Sequence, residues 1–181
     1  IAQLPTVTPI GMASLLPGAG KKLEILSEGK GFVAVLDGQR LTTVVNRMKV
    51  FEQIYGDRFA QMTLSEFNSR KKIKISDAVN LLVIRSTEID SHLESNPETT
   101  LGLVYQTLKG LRVAIHRLRQ AGFTDVVIAT DHGFFLNGHA DAGDICIKPE
   151  VGDWINVHDR ALLGTGSGDT QSFVIPTEKV G

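Results

Sequence analysis

The stretch Val126-Val-Ile-Ala-Thr-Asp-His-Gly-Phe134 constrains the chain more than any other. A short unbroken apolar run reads as a strand buried on both faces of a parallel sheet. Asp131 and His132 follow it directly, at the strand's carboxyl end, where open α/β folds place ligands. A carboxylate and an imidazole side by side in a loop can face one cation, because the loop frees them from strand alternation. The plainer reading is that Asp131 caps a turn and His132 packs beside Gly133. From these residues alone the two readings stand level.

What precedes this stretch argues for parallel pairing. Leu81-Leu-Val-Ile84 is a second buried-strand candidate. Thr99 to Ala121 reads as a long helix, with Leu103, Leu108, Leu111, Ile115 and Leu118 as its apolar positions and Gly122 as its stop. Strand, long helix, strand is a crossover unit and implies an α/β layered fold. Between the first strand and the helix lie Asp90, His92 and Glu94. On a helix, Asp90 and Glu94 would share a face and His92 would point away. A solvated acidic loop is the competing reading.

Toward the amino end, Leu4-Pro-Thr-Val-Thr-Pro-Ile-Gly-Met-Ala-Ser-Leu-Leu-Pro-Gly18 predicts a short helix. Thr8 is its expected N-cap, Pro9 its first residue and Leu16 its last. A hydroxyl at a helix start faces unpaired N–H groups, a setting that suits a phosphate oxygen as well as simple capping. Asp37-Gly38, between Gly31-Phe-Val-Ala-Val-Leu36 and Gln39-Arg-Leu-Thr-Thr43, predicts a tight hairpin, which accounts for Asp37 without a metal. Lys22 to Thr43 is expected to be a decoration on the core. Asn46 to Tyr55 reads as a helix, and Gly56 to Ser76 as polar surface. Beyond the central stretch, His139 and Asp141 read as loop residues, and the trio His158, Asp159 and Arg160 cannot form a triad by adjacency alone. Leu163-Gly-Thr-Gly-Ser-Gly168 lacks the Lys of a phosphate loop and is read as a flexible turn between strands.

Composition excludes several classes of function. The 181 residues are 42% hydrophobic and 22% charged, enough for one domain with a sizeable core. A net charge of −1 gives no global case for wrapping nucleic acid or an anionic membrane; Arg70-Lys-Lys-Ile-Lys74 is the one local basic run. The single Cys146 rules out an intramolecular disulfide and permits a reducing, cytoplasmic setting. No apolar run approaches the ~20 residues of a membrane helix. Ile1-Ala-Gln-Leu reads like the tail of an element already under way, and the expectation is a single domain, 1–181, cut at both ends.

The order of these motifs resembles the alkaline phosphatase superfamily. Within it, Leu4 to Gly18, Glu88-Ile-Asp90 and Ala129-Thr-Asp-His-Gly-Phe134 look like the PglZ domain of BREX-type phage-resistance systems. That resemblance implies an alkaline-phosphatase-like α/β fold, with a mainly parallel sheet flanked by helices and a β-hairpin insertion. It implies Thr8 as nucleophile, with Thr6 its near neighbour. Asp131 and His132 would bind one divalent metal. Asp90 would bind a second, with Glu94 four residues on, where the superfamily has a His. Two zinc ions, or manganese where carboxylates dominate, suit such ligands. The superfamily's remaining Asp, upstream of the Thr motif, and His, downstream of the Asp-His strand, have no counterpart here. The activity implied is hydrolysis of a phosphate ester through a covalent phospho-threonine. The alternative is a domain without turnover that binds partners in a defence complex. A sulfatase or phosphomutase relative would sooner carry Cys or Ser than Thr8.

Overall fold

A computed structural model of the chain describes residues 7–29, 31–95, 100–131, 133, 147–158, 161–168 and 173–176. Two compact units emerge: residues 1–47 with 129–181, and residues 48–128.

The first unit begins with α1 (Thr8–Ser14). Its N-cap is Val7, not Thr8, and no side chain caps the helix. Val7 is 4% exposed, and its carbonyl accepts the first helical bonds from the N–H groups of Ile10 and Gly11, at 3.1 and 2.9 Å. Burial of the Val7 side chain thus sets the start one residue earlier than the hydroxyl pattern predicts. The helix also stops at Ser14 instead of Leu16. A four-residue helix, α2 (Ala19–Lys22), leads into β1 (Leu23–Glu28), β2 (Gly31–Leu36) and β3 (Gln39–Arg40). These form an antiparallel sheet in the order β1-β2-β3.

The predicted turn is present: Leu36 pairs with Gln39 across Asp37 and Gly38, whose φ values are 49° and 75°. Two positive φ angles in succession are what a two-residue hairpin of this hand demands. Asp37 also forms an ion pair with Lys22 at 2.8 Å. The expectation that this region merely decorates the core is not met. Val33, Ala34, Val35 and Leu36 are all buried, and α1 packs on β2. Four successive apolar residues bury both faces of β2, so the hairpin forms the core of its unit.

At the carboxyl end, β6 (Gly152–His158) and β7 (Ala161–Gly166) form an antiparallel hairpin. The glycine alternation expected to be a turn therefore lies largely within a strand. Gly164 pairs with Trp154, and a Cβ there would stand 2.1 Å from the Asp153 carbonyl oxygen and 2.8 Å from Trp154 Cα. Close backbone approach beside a bulge at Trp154/Asn156 explains these glycines better than flexibility does.

The second unit holds a parallel pair, β4 (Phe59–Thr63) and β5 (Leu81–Arg85), in register from Phe59↔Leu81 to Thr63↔Arg85. It follows α3 (Val44–Tyr55), which starts two residues before its predicted position. Thr43 and Asn46 make the earlier start: the Thr43 hydroxyl accepts from the Asn46 N–H, and Asn46 Oδ1 accepts from the Thr43 N–H.

Residues 56–76, expected to be polar surface, contribute both β4 and α4 (Leu64–Ser69). A capping box of Thr63 and Glu66 opens α4, and Phe67 is fully buried. Next come α5 (Glu88–Ser95) and the 21-residue α6 (Thr100–Gln120). Leu64, Phe67, Ala114 and Leu118 form the local core, with Leu111 and Phe123 packed against it. Leu108, predicted to face inward, is 50% exposed, because the buried face centres on Ala114 and Leu118.

Gly122 ends α6 as expected. Its φ is 93°; its N–H donates to the Arg119 carbonyl and that of Phe123 to Leu118, the paired bonds of a Schellman motif.

The central apolar run departs from its predicted state. Val126, Val127 and Ile128 join no ladder among the described residues and are 38%, 89% and 63% exposed. Phe123 is the last side chain packed on the core of this unit. Past it the chain leaves the core, and at Ala129 it enters the other unit. A mainly parallel sheet is therefore not seen; the described sheets are one parallel pair and two antiparallel groups. Residues 173–175 also join no ladder among the described residues.

Candidate functional site

Thr8 is the first residue of α1 and is half-buried. One turn on, Gly11 is buried on the same helix. A Cβ built on Gly11 would lie 2.5 Å from the carbonyl oxygen of Asp131, 2.9 Å from its Cβ and 3.0 Å from its carbonyl carbon. Only a residue without a side chain lets the backbone of Asp131 come so near. Residues i and i+3 lie on one helix face, and three residues rise about 4.5 Å. Asp131 thus lies against the first turn of the helix that Thr8 opens. The sequence pattern put both residues in one site but offered no such contact.

The other carboxylates belong to the second unit. Strand β5 ends at Arg85, two residues link it to α5, and Asp90 sits in the first turn of that helix beside Glu88. Ser86 donates its hydroxyl to the Glu88 carboxylate, which tightens the turn. Acidic residues in a first turn are favoured by the helix dipole, so α5 has a structural use for Asp90 as well. The segment is helical as far as Ser95, so its backbone carries Glu94 one turn from Asp90. The side chains of His92 and Glu94 lie outside the described residues. So do Thr6, His132, His139, Asp141, Asp159 and Arg160, together with the side chain of His158.

Among the described residues no three His, Cys, Asp or Glu side chains assemble into a metal-holding group. The donor types nevertheless fit divalent zinc or manganese: three carboxylates, Asp90, Glu94 and Asp131, and one imidazole, His132.

One residue was not singled out by sequence reasoning. Arg85 stands at the carboxyl end of β5, and its Nε is buried with no hydrogen-bond partner among the described residues. A buried guanidinium N–H without an acceptor is uncommon and asks for an anion. The signal was present in the sequence as a charged residue closing the apolar run Leu81-Leu-Val-Ile84. Nearby, the Glu66 carboxyl is held below its usual range. The hydrogen bond from the Thr63 N–H is the main cause and that from the Thr63 hydroxyl the next, with Arg70 and Arg85 adding positive charge.

The family model of the BREX system PglZ alkaline phosphatase-like domain matches residues 1–175. No curated protein and no solved structure matches the chain.

Proposed function

The chain belongs to the PglZ family, the alkaline phosphatase-like domain of BREX phage-defence systems, and from that premise we propose a metal-dependent phosphohydrolase or phosphodiesterase with Thr8 as its nucleophile. The observation that carries the reading is the close approach of Asp131 to Gly11, on the helix that Thr8 opens.

In this reading Asp131 and His132 hold one divalent cation, and Asp90 and Glu94 hold the other. Bound there, zinc or manganese supplies Lewis acidity and screens the charge of the phosphoryl oxygens. The chain's own groups do the rest. Thr8 Oγ1 attacks phosphorus, the ester oxygen leaves, and the phospho-threonine is later hydrolysed by water.

The same reading has a mainly parallel sheet, with residues 126–129 as a further strand beyond the β4–β5 pair. The support is the β-branched composition of that run and the α6 crossover before it. The proposed setting is the cytoplasm, among other proteins of a phage-defence system. No helix among the described residues is long and apolar enough to cross a membrane.

The test is Thr8→Ala in the intact protein, with bis-p-nitrophenyl phosphate as substrate and calorimetric titration of zinc alongside. Hydrolysis is expected to vanish while zinc binding is largely kept, since the hydroxyl attacks and other side chains hold the metal. Thr6→Ala serves as the control within the same motif. Full activity in Thr8→Ala ends the assignment, and equal losses at both positions assign the effect to the segment instead of one hydroxyl. No hydrolysis by the unaltered protein under zinc or manganese favours the partner-binding alternative.

A further inference from the structure

The 21 residues of α6 contain no Asp or Glu, yet they carry Lys109, Arg112, Arg117 and Arg119 together with His116. Helices in water ordinarily intersperse both signs, because like charges three or four apart repel and opposite charges attract. Here the cations are sorted by face. Tyr105, Lys109, Arg112, His116 and Arg119 follow one another at steps of four, three, four and three residues, which is one stripe of a helix. All five are exposed, Tyr105 to 70%, and the stripe lies opposite the face buried through Ala114 and Leu118. Leu108 and Val113 flank it, half exposed.

Arg117 lies off this stripe and ties a second basic segment to the helix. Its Nη1 donates to the carbonyls of Phe67 and Asn68 at 2.8 and 3.0 Å, and its Nη2 donates to the carbonyl of Arg70. Ile73 packs against the same core cluster. Arg70, Lys71, Lys72 and Lys74 are therefore exposed cations on an anchored backbone that begins at α6. The acidic residues on the elements packed with α6 are Glu66, engaged in the α4 cap, and Glu88, Asp90 and Glu94 of α5, while Asp77 and Asp125 lie beyond the two basic runs.

We propose that the exposed face of α6, with the adjoining Arg70–Lys74 segment, binds the phosphodiester backbone of duplex nucleic acid without regard to sequence. Two observations favour a nucleic acid over an acidic protein surface. From Lys109 to Arg119 the basic residues repeat evenly over about 15 Å of helix, a length that spans roughly four phosphates of one strand. The apolar residues only flank the stripe and do not interrupt it, whereas a protein interface would centre on them. The proposal does not rest on the Thr8 chemistry.

The experiment is fluorescence anisotropy of a labelled duplex DNA with the whole chain. A chelator is present throughout, so hydrolysis cannot contribute to the signal. Four or so phosphate contacts predict a loss of about 10²-fold in affinity between 50 and 200 mM salt. The triple variant Lys109→Ser, Arg112→Ser, Arg119→Ser is expected to bind at least about tenfold more weakly. The salt slope should fall by roughly 0.9 for each cation removed. The charge-matched triple Lys21→Ser, Lys49→Ser, Lys148→Ser, at exposed positions off the stripe, is expected to bind as the parent does. Arg112→Lys with Arg119→Lys is expected to retain most of the affinity, and circular dichroism verifies that α6 persists in each variant. Three outcomes overturn the proposal: no duplex binding at low salt, equal losses in both triples, or binding of poly-glutamate with none of DNA.

Discussion

Gly11→Ala sets two physical effects against each other, and the geometry decides the sign. Inside a helix, alanine is favoured over glycine by about 0.8–1 kcal/mol, so propensity alone predicts a more stable protein. The new methyl would, however, stand 2.5 Å from the Asp131 carbonyl oxygen. An ordinary contact of this kind needs about 3.4 Å, so roughly 0.9 Å must be found by moving one backbone against the other. Both sides are main chain, and neither can rotate away as a flexible side chain would. Overpacking of this kind costs about 1–3 kcal/mol. The net is a loss of roughly 0–2 kcal/mol where propensity predicts a gain.

Gly102→Ala is the reference. Gly102 lies in α6, and nothing stands within 4 Å of the place its new methyl would occupy, so it should show the full propensity gain. Urea denaturation should separate the two variants by about 1–3 kcal/mol, equivalent to a melting-temperature gap of roughly 2–12 °C. Hydrolysis adds a second readout. A displacement of Asp131 by about 1 Å can lower a rate by ~10²-fold, well beyond what the stability change explains. If Gly11→Ala stabilises as much as Gly102→Ala and leaves activity unchanged, Asp131 does not press on α1. The proposed site then loses its main support.

Three other outcomes are expected. Arg117→Met should lower stability by about 2–4 kcal/mol in urea denaturation, because the carbonyls of Phe67, Asn68 and Arg70 lose a charged donor at the end of α4. Glu66→Gln should destabilise near neutral pH and match the parent at low pH. The folded protein holds this carboxyl below its usual range, so the stabilisation exists above the ordinary carboxylate pKa and disappears as pH falls through the lowered one. Unfolding midpoints across an acid series will show whether the two curves converge. Val127→Cys should react with a thiol reagent as fast as a free cysteine if the residue stays 89% exposed, and far more slowly if the run joins the proposed parallel sheet.

Where a signal is local, the chain follows its sequence closely. Asp37-Gly38 closes its hairpin because only small or turn-forming residues tolerate two positive φ values there. Gly122 ends α6 by the same logic, with Phe123 folding back toward Leu118. Where the outcome depends on distant partners, the pattern misleads. Phe59-Ala-Gln-Met-Thr63 has neither alternation nor an apolar run, and it becomes a strand because Leu81-Leu-Val-Ile-Arg85 pairs alongside it. The opposite happens at Val126-Val-Ile128, which has the stronger strand composition but no ladder. Strand propensity measures fit to a half-buried pleated surface, so it says nothing about whether a neighbour is there to supply one.

The same distinction governs the site. Thr8 and Asp131 lie far apart in the sequence, and no periodicity can announce that Asp131 lies against the helix that Thr8 opens. One residue does carry the information in disguise. A glycine at position 11 interrupts an otherwise good apolar helix, Ile10-Gly-Met-Ala13, at a place where neither a turn nor a positive φ requires it. Helix propensity argues against it there, and a locally unfavourable residue inside a regular element points to a demand from outside that element. The demand here is space for the backbone of Asp131. Gly110 shows the same effect in α6, where the Asn68 Nδ2 would come within 3.3 Å of a Cβ and instead donates to the Gly110 carbonyl at 3.1 Å. Two helix glycines with no conformational excuse, Gly11 and Gly110, thus record long-range contact, whereas Gly102 has open space around it. The one in α1 points at the residues proposed to carry the chemistry.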